Sequence, residues 1–66
     1  MVRFPEEIYE TYQSQVRGFL YRLCRNETLA DELTQETFFQ ALDGWDQYRG
    51  QGAVLTWLCG IAKHLY

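Results

Sequence analysis

The sequence predicts an all-α domain in which three helices pack on one core. Apolar residues recur at helical spacing in three segments, and two short polar or glycine-containing stretches separate these segments. The chain has 66 residues, which is enough for one small domain. Its 47% of hydrophobic residues and single proline argue against a disordered chain.

The first helix is predicted from about Pro5 to Cys24. Proline suits the first turn of a helix, and the acids Glu6 and Glu7 that follow it complement the helix dipole. Its apolar stripe consists of Ile8, Tyr9, Tyr12, Val16, Phe19, Leu20 and Leu23.

A second helix is predicted after the break "RNET", with Thr28 as its N-cap. Asp31 stands three residues later, as in an acidic variant of the capping box. The helix then runs to about Asp43. Its core face is predicted to comprise Leu29, Ala30, Leu33, Thr37, Phe38 and Ala41.

The third helix is predicted to begin near Ala53, after the glycine-containing stretch "DGWDQYRGQG". Trp45 and Tyr48 are expected to hold this stretch against the domain. The inner stripe of the helix consists of Val54, Leu58, Ile61 and Leu65, with Trp57 beside it. The pattern stops at "KHLY" without a cap, so we expect a truncated third helix and a chain that is a piece of a longer protein.

Composition excludes several classes of function. A net charge of −3 argues against autonomous binding to duplex DNA. Cys24 and Cys59 have no metal or redox spacing and are predicted to be core thiols. The sequence has no secretory signal and no apolar run long enough to cross a membrane. These features predict a reduced, cytoplasmic protein without membrane insertion.

Catalytic chemistry has little support in the sequence. There is one histidine, and no nucleophile can be paired with a base. Neither a phosphate-binding glycine loop nor a metal-ligand spacing is present. We therefore predict that the protein is not an enzyme and needs no cofactor.

Two helix faces remain as candidate sites. On the second helix, the face opposite the core carries an aromatic among acids and amides: Glu32, Gln35, Glu36, Phe39 and Asp43. This face is either a solvated acidic surface with one exposed aromatic or a docking surface for a basic helix. The outer face of the third helix carries Thr56, Gly60, Lys63 and His64. This face is either an ordinary solvated surface or a ligand site. A glycine inside a helix costs about 1 kcal/mol relative to alanine, and the close approach of a ligand or another backbone would explain that cost.

Three segments in order carry a resemblance to a known family: "ADELTQETFFQAL", "YRG" and "TWLCGIAKHLY". Together they resemble region 2 of bacterial sigma factors of the extracytoplasmic-function (ECF) group. The opening "FPEEIYETYQSQVRGFLYRL" is similar to the first helix of that region, so the resemblance covers nearly the whole chain. It implies the three-helix bundle of sigma region 2 and a role in transcription initiation.

The resemblance implies two binding surfaces. In the family, the second helix docks on the clamp helices of the β′ subunit of core RNA polymerase. The matching residues here are Glu32, Gln35, Glu36, Phe39 and Leu42. The following loop and third helix capture an unstacked base of the minus-ten element on the non-template strand. The matching residues are Gly44, Tyr48, Lys63 and His64, with Arg49 and Thr56 as backbone contacts. Trp57 is better suited to a core anchor.

The sequence departs from the family pattern in two ways. His64 stands where asparagine is common, which affects the expected base preference. The basic stretch after the third helix and the C-terminal helix-turn-helix domain are absent, so residues 1–66 are expected to be one domain of a longer factor. The resemblance also suggests an anti-sigma protein as a partner. The alternatives are a sigma-like adaptor that does not melt promoters and an independent DNA-binding domain.

Overall fold

The computed structural model describes residues 6–45, 48 and 53–66. It contains three α-helices: α1 (Glu6–Cys24), α2 (Glu27–Asp43) and α3 (Val54–Leu65). Each helix packs against the other two, and no strand occurs among the described residues. The predicted all-α, three-helix architecture is therefore confirmed. The predicted first residue of α1, Pro5, lies outside the described residues.

All three helices contribute to the core. Its fully or nearly fully buried apolar side chains are Val16, Leu20, Ala30, Phe38, Ala41, Leu58 and Ala62. Thr34 and Thr37 are also buried, and their hydroxyl groups donate to the carbonyl oxygens of Ala30 at 2.6 Å and Leu33 at 2.7 Å. These bonds satisfy the hydroxyl groups, so two threonines can lie in an apolar core.

The core differs from the predicted stripes at the helix margins. Leu23 is 41% exposed and Leu29 is 36% exposed, although both were predicted to face the core. Thr34 and Ala62 are buried instead, and neither was predicted. Leu29 lies at the margin of the buried face of α2, whereas its neighbour Ala30 is buried, and so is Thr34 one turn after Ala30. Small residues there allow the helices to approach closely.

The turn between α1 and α2 contradicts the predicted cap. Arg25 adopts a left-handed conformation with φ of 56°, and its N–H donates to the carbonyl oxygen of Tyr21 at 2.7 Å. Asn26 is the N-cap of α2, and its side-chain oxygen accepts from the N–H of Leu29 at 2.8 Å. Thr28 is inside the first turn and does not cap the helix. Asparagine is among the best capping residues, so α2 begins earlier than predicted.

Candidate functional site

The outward face of α2 presents every residue that was predicted to dock. Glu32, Gln35 and Glu36 are exposed, and so are Phe39 and Leu42, which retain 69% and 50% of their accessible surface. Phe38 and Ala41 are buried against the core. The core therefore fixes the rotation of α2, and this rotation leaves Phe39 in solvent.

The charge on α2 has one sign. Between Glu27 and Asp43 the sequence contains five acids and no lysine or arginine. Asp31 forms an ion pair with Arg17 of α1, and the hydrogen bond from this pair raises the pKa of Arg17. Among the described residues no ion pair reaches the acids of the outward face, which are Glu32, Glu36 and Asp43. This face therefore carries uncompensated negative charge next to exposed apolar side chains.

A groove lies between the start of α1 and the C-terminal half of α2. It has a volume of about 340 Å³ and is lined by Glu6, Tyr9, Gln35, Phe38, Phe39 and Leu42. The ring of Tyr9 meets Phe38 edge to face, with a centroid distance of 5.0 Å and an interplanar angle of 76°. Sequence reasoning placed Tyr9 on the core stripe and did not assign Glu6 to any site. The position of Tyr9 at the margin of that stripe is the sequence feature that could have indicated its place in the groove.

Three aromatic rings cluster beside α3. Tyr48 stacks on Trp57 with a centroid distance of 4.5 Å and an interplanar angle of 25°. Trp45 stacks on Tyr48 at 5.6 Å and lies tilted against Trp57 at 6.0 Å. The N–H of Tyr48 donates to the carbonyl oxygens of Gly44 and Trp45, at 3.1 and 3.2 Å. Trp57 also packs against the core, which agrees with its predicted role as an anchor.

Gly44 lies next to this cluster without a backbone reason for glycine. Its φ is −97° and its ψ is 7°, a conformation that other residues adopt. A Cβ atom there would lie 3.5 Å from the carbonyl oxygen of Gln40 and 3.8 Å from the ring of Trp57, both ordinary contacts. Gly44 therefore lies beside Tyr48 and Trp57, but alanine would also fit there.

The predicted DNA-binding residues of α3 lie on two sides of the helix. Thr56, Lys63 and His64 are all exposed. His64 follows Trp57 by seven positions and so lies on the same side, two turns or about 10 Å further along. Lys63 follows Thr56 by the same spacing on a neighbouring side. Gly60 is exposed, and a Cβ atom there would meet open space, so no part of the described chain approaches it closely. Arg49 lies outside the described residues.

Both cysteines are half-buried and free. The prediction of core thiols is thus met in part, since neither is fully covered. Burial raises the pKa of the Cys59 thiol. Within residues 6–45, 48 and 53–66, no group of three or more histidine, cysteine, aspartate or glutamate side chains could hold a metal ion. None of the three described helices is long and apolar enough to cross a membrane.

The fold and its two surfaces correspond to a known family. The sequence matches the Sigma-70 region 2 family over residues 8–66. The chain belongs to this family, which confirms the resemblance to region 2 of ECF sigma factors found in the sequence.

Three relatives illustrate the similarity. The RNA polymerase sigma factor YlaC of Bacillus subtilis is 34% identical over 61 residues, which cover 92% of this chain and 35% of that protein. The ECF RNA polymerase sigma factor SigX of the same species is 28% identical, with coverage of 88% and 30%. The RNA polymerase sigma factor CarQ of Myxococcus xanthus is 33% identical, with coverage of 89% and 34%. The chain thus spans about a third of the length of these relatives. No solved structure matches the chain significantly.

Proposed function

We propose that the outward face of α2 docks on the clamp helices of the β′ subunit of core RNA polymerase. The observation that carries this proposal is the exposure of Phe39, at 69%, within a helix that has five acids and no basic residue. Interfaces commonly bury an aromatic anchor inside a ring of polar side chains. Glu32, Gln35 and Glu36 form this ring here, with Leu42 extending the apolar centre.

The partner that fits this face is a helix with basic and apolar side chains. Negative charge on α2 would steer such a helix during association and would fix its orientation. Burial of Phe39 would then supply much of the affinity, because an aromatic side chain removes a large apolar surface from water. An acidic face of this kind is unsuited to nucleic acid, whose phosphates it would repel.

The second half of the proposal concerns promoter DNA. The aromatic cluster and the outer side of α3 would receive an unstacked base of the minus-ten element on the non-template strand. Such bases are held by aromatic stacking and by hydrogen bonds to their edges. Tyr48 and His64 are the candidates for these contacts, Lys63 and Thr56 for the backbone, and Gly44 for the wall beside Tyr48.

These roles also imply how the protein would act, where it would act and which partner would compete. It would act by binding and not by catalysis, without a cofactor, in the bacterial cytoplasm where core polymerase is found. An anti-sigma protein would compete for the same two surfaces. Promoter recognition would require the complete factor on core polymerase, because the chain corresponds to about a third of its relatives.

The docking proposal is tested with the 66-residue chain and a β′ fragment that contains the clamp helices. The chain carries a fluorescent label, and binding is followed by anisotropy. We expect saturable binding that weakens at high salt. Glu36→Arg should weaken it strongly, whereas Glu10→Arg, an equal charge change on α1, should have little effect. Absence of binding by the native chain would contradict the proposal.

The same anisotropy assay distinguishes the alternative functions. The isolated chain should bind random duplex DNA poorly at physiological salt, because its net charge is −3. Tight binding to random duplex would favour an independent DNA-binding domain. Binding to the clamp fragment together with no minus-ten recognition by the complete factor on core polymerase would favour the adaptor.

A further inference from the structure

The groove between α1 and α2 suggests that the docking surface has a second wall. The predicted docking residues all belong to α2, but three of them, Gln35, Phe39 and Leu42, also line this groove. Its other side is formed by Glu6 and Tyr9 of α1. The groove is therefore continuous with the proposed interface and extends it across to the first helix.

We propose that this groove receives an apolar side chain of the same basic helix that docks on α2. This inference rests on the proposed docking function and adds Glu6 and Tyr9 to it. A volume of about 340 Å³ is at the lower end of protein sites for small ligands, and it suits one or two side chains.

The walls of the groove are exposed, and packing fixes its floor. Tyr9, Phe39 and Leu42 keep 37%, 69% and 50% of their accessible surface, so three large apolar side chains meet solvent around one depression. Phe38, which is only 6% exposed, forms the floor and holds the Tyr9 ring edge-on. A partner side chain would thus enter a site that exists before binding, which lowers the entropic cost of association.

Charge identifies the chemistry of the occupant. Glu6 lines the groove, and no basic side chain among the described residues does so. Arg17, a nearby cation of α1, is engaged by Asp31. A neutral or acidic partner would gain nothing from this acid, whereas a basic amphipathic helix could pair with Glu6 while its apolar residue fills the groove.

The first test compares two charge reversals next to each other on α1. Glu6 lines the groove, and Glu7 is an exposed acid in the same helical turn that does not line it. Glu6→Lys and Glu7→Lys change the net charge equally and disturb the helix dipole similarly. We expect Glu6→Lys to weaken binding to the clamp-helix fragment by about threefold or more, mainly through slower association at low salt. Glu7→Lys should bind like the native chain.

The second test removes the apolar wall. Tyr9→Ala should accelerate dissociation by about tenfold, as expected for an aromatic anchor. A thermal melt shows whether the variant is folded at the temperature of the titration. A double-mutant cycle with Leu42→Ala should be non-additive, because both side chains would contact the same partner group.

The outcomes separate this inference from the docking proposal. If the native chain does not bind the clamp-helix fragment, both fail. If the native chain binds and Phe39→Ala weakens binding, docking on α2 is supported. In that case, native-like binding by Glu6→Lys and by folded Tyr9→Ala would overturn the second wall alone.

Discussion

The outward faces of α2 and α3 differ in the sign of their charge. α2 carries five acids and no basic residue, whereas α3 has no acid and has Lys63 and His64 in its last turn. The net charge of −3 therefore describes neither surface. In a domain of this size, two surfaces with opposite preferences can lie on neighbouring helices, and a charge sum alone would assign both to the same kind of partner.

The two regions also place their aromatic side chains differently. Phe39 projects from α2 and is 69% exposed. Beside α3, Trp57 stacks with Tyr48, and Trp45 completes a cluster that is half-buried. A projecting ring suits insertion into a partner protein, whereas a stacked cluster suits a flat base laid against it. The comparison thus supports a protein partner for α2 and a nucleic-acid partner for α3.

The largest expected effect separates two adjacent phenylalanines of α2. Phe38→Ala should cost about 3–5 kcal/mol of unfolding free energy because it empties a buried site. A domain of this length has a stability of only about 3–10 kcal/mol, so this variant should be largely unfolded. Phe39→Ala should leave the melting temperature nearly unchanged and weaken clamp binding by about 2 kcal/mol, roughly 30-fold.

Circular dichroism melts and anisotropy titrations measure these two effects separately. Leu29→Ala serves as a control, since Leu29 is another partly exposed apolar residue of α2 that does not line the groove. If Phe39→Ala melts as early as Phe38→Ala, then Phe39 is structural and the contrast between the faces is lost.

One charge reversal on α2 and one on α3 test whether the outward faces of these helices bind independently. Glu36→Arg should weaken binding to the clamp-helix fragment by about 2 kcal/mol and leave the fold intact. Lys63→Glu should not change clamp binding. In the complete factor on core polymerase, Lys63→Glu should weaken binding of the minus-ten single strand. The number of counterions released on binding, measured from the salt dependence of the affinity, should fall by about one. A loss of clamp binding in Lys63→Glu would show that the faces are not separate.

The fold was largely predictable because the helical spacing of apolar residues determines it. Two of the errors occurred where a local polar interaction decides the outcome. Asn26 caps α2 in place of Thr28 because its side chain reaches the N–H of Leu29. Thr34 is buried because its hydroxyl bonds to its own helix at Ala30. Such bonds depend on conformation and are not visible as a period in the sequence.

The candidate site was predictable to a smaller extent. Helical spacing correctly put Phe39 in solvent, and the resemblance added Leu42. The contribution of Glu6 and Tyr9 could not be predicted, because it depends on how α1 lies across α2. The stacking of Tyr48 on Trp57 likewise joins a loop to a helix, and no spacing rule relates these two positions.

A smaller effect is expected at His64, which shares one side of α3 with Trp57. Neutral imidazole offers one donor and one acceptor, as an asparagine amide does, but with a different reach. We expect His64→Asn to change the preferred base at one minus-ten position by about 1 kcal/mol, roughly fivefold. The measurement is a panel of single-stranded oligonucleotides varied one base at a time, bound to the complete factor on core polymerase. Unchanged preference and affinity in both His64→Asn and His64→Ala would make His64 a simple surface residue.

The smallest effect is expected at Arg25, in the turn between α1 and α2. Its φ of 56° is strained for a residue with a Cβ atom, whereas glycine adopts it freely. Arg25→Gly keeps the N–H bond to Tyr21 and should stabilise the fold by about 0.5 kcal/mol, raising the melting temperature by a few degrees. Arg22→Gly, inside α1, should instead destabilise it by about 0.5–1 kcal/mol. Neither residue lies on the α2 face, so clamp binding should be unchanged in both variants while they fold. Equal melting shifts in the two variants would contradict the left-handed turn, and altered clamp affinity would show that docking depends on this turn as well as on the outward face of α2.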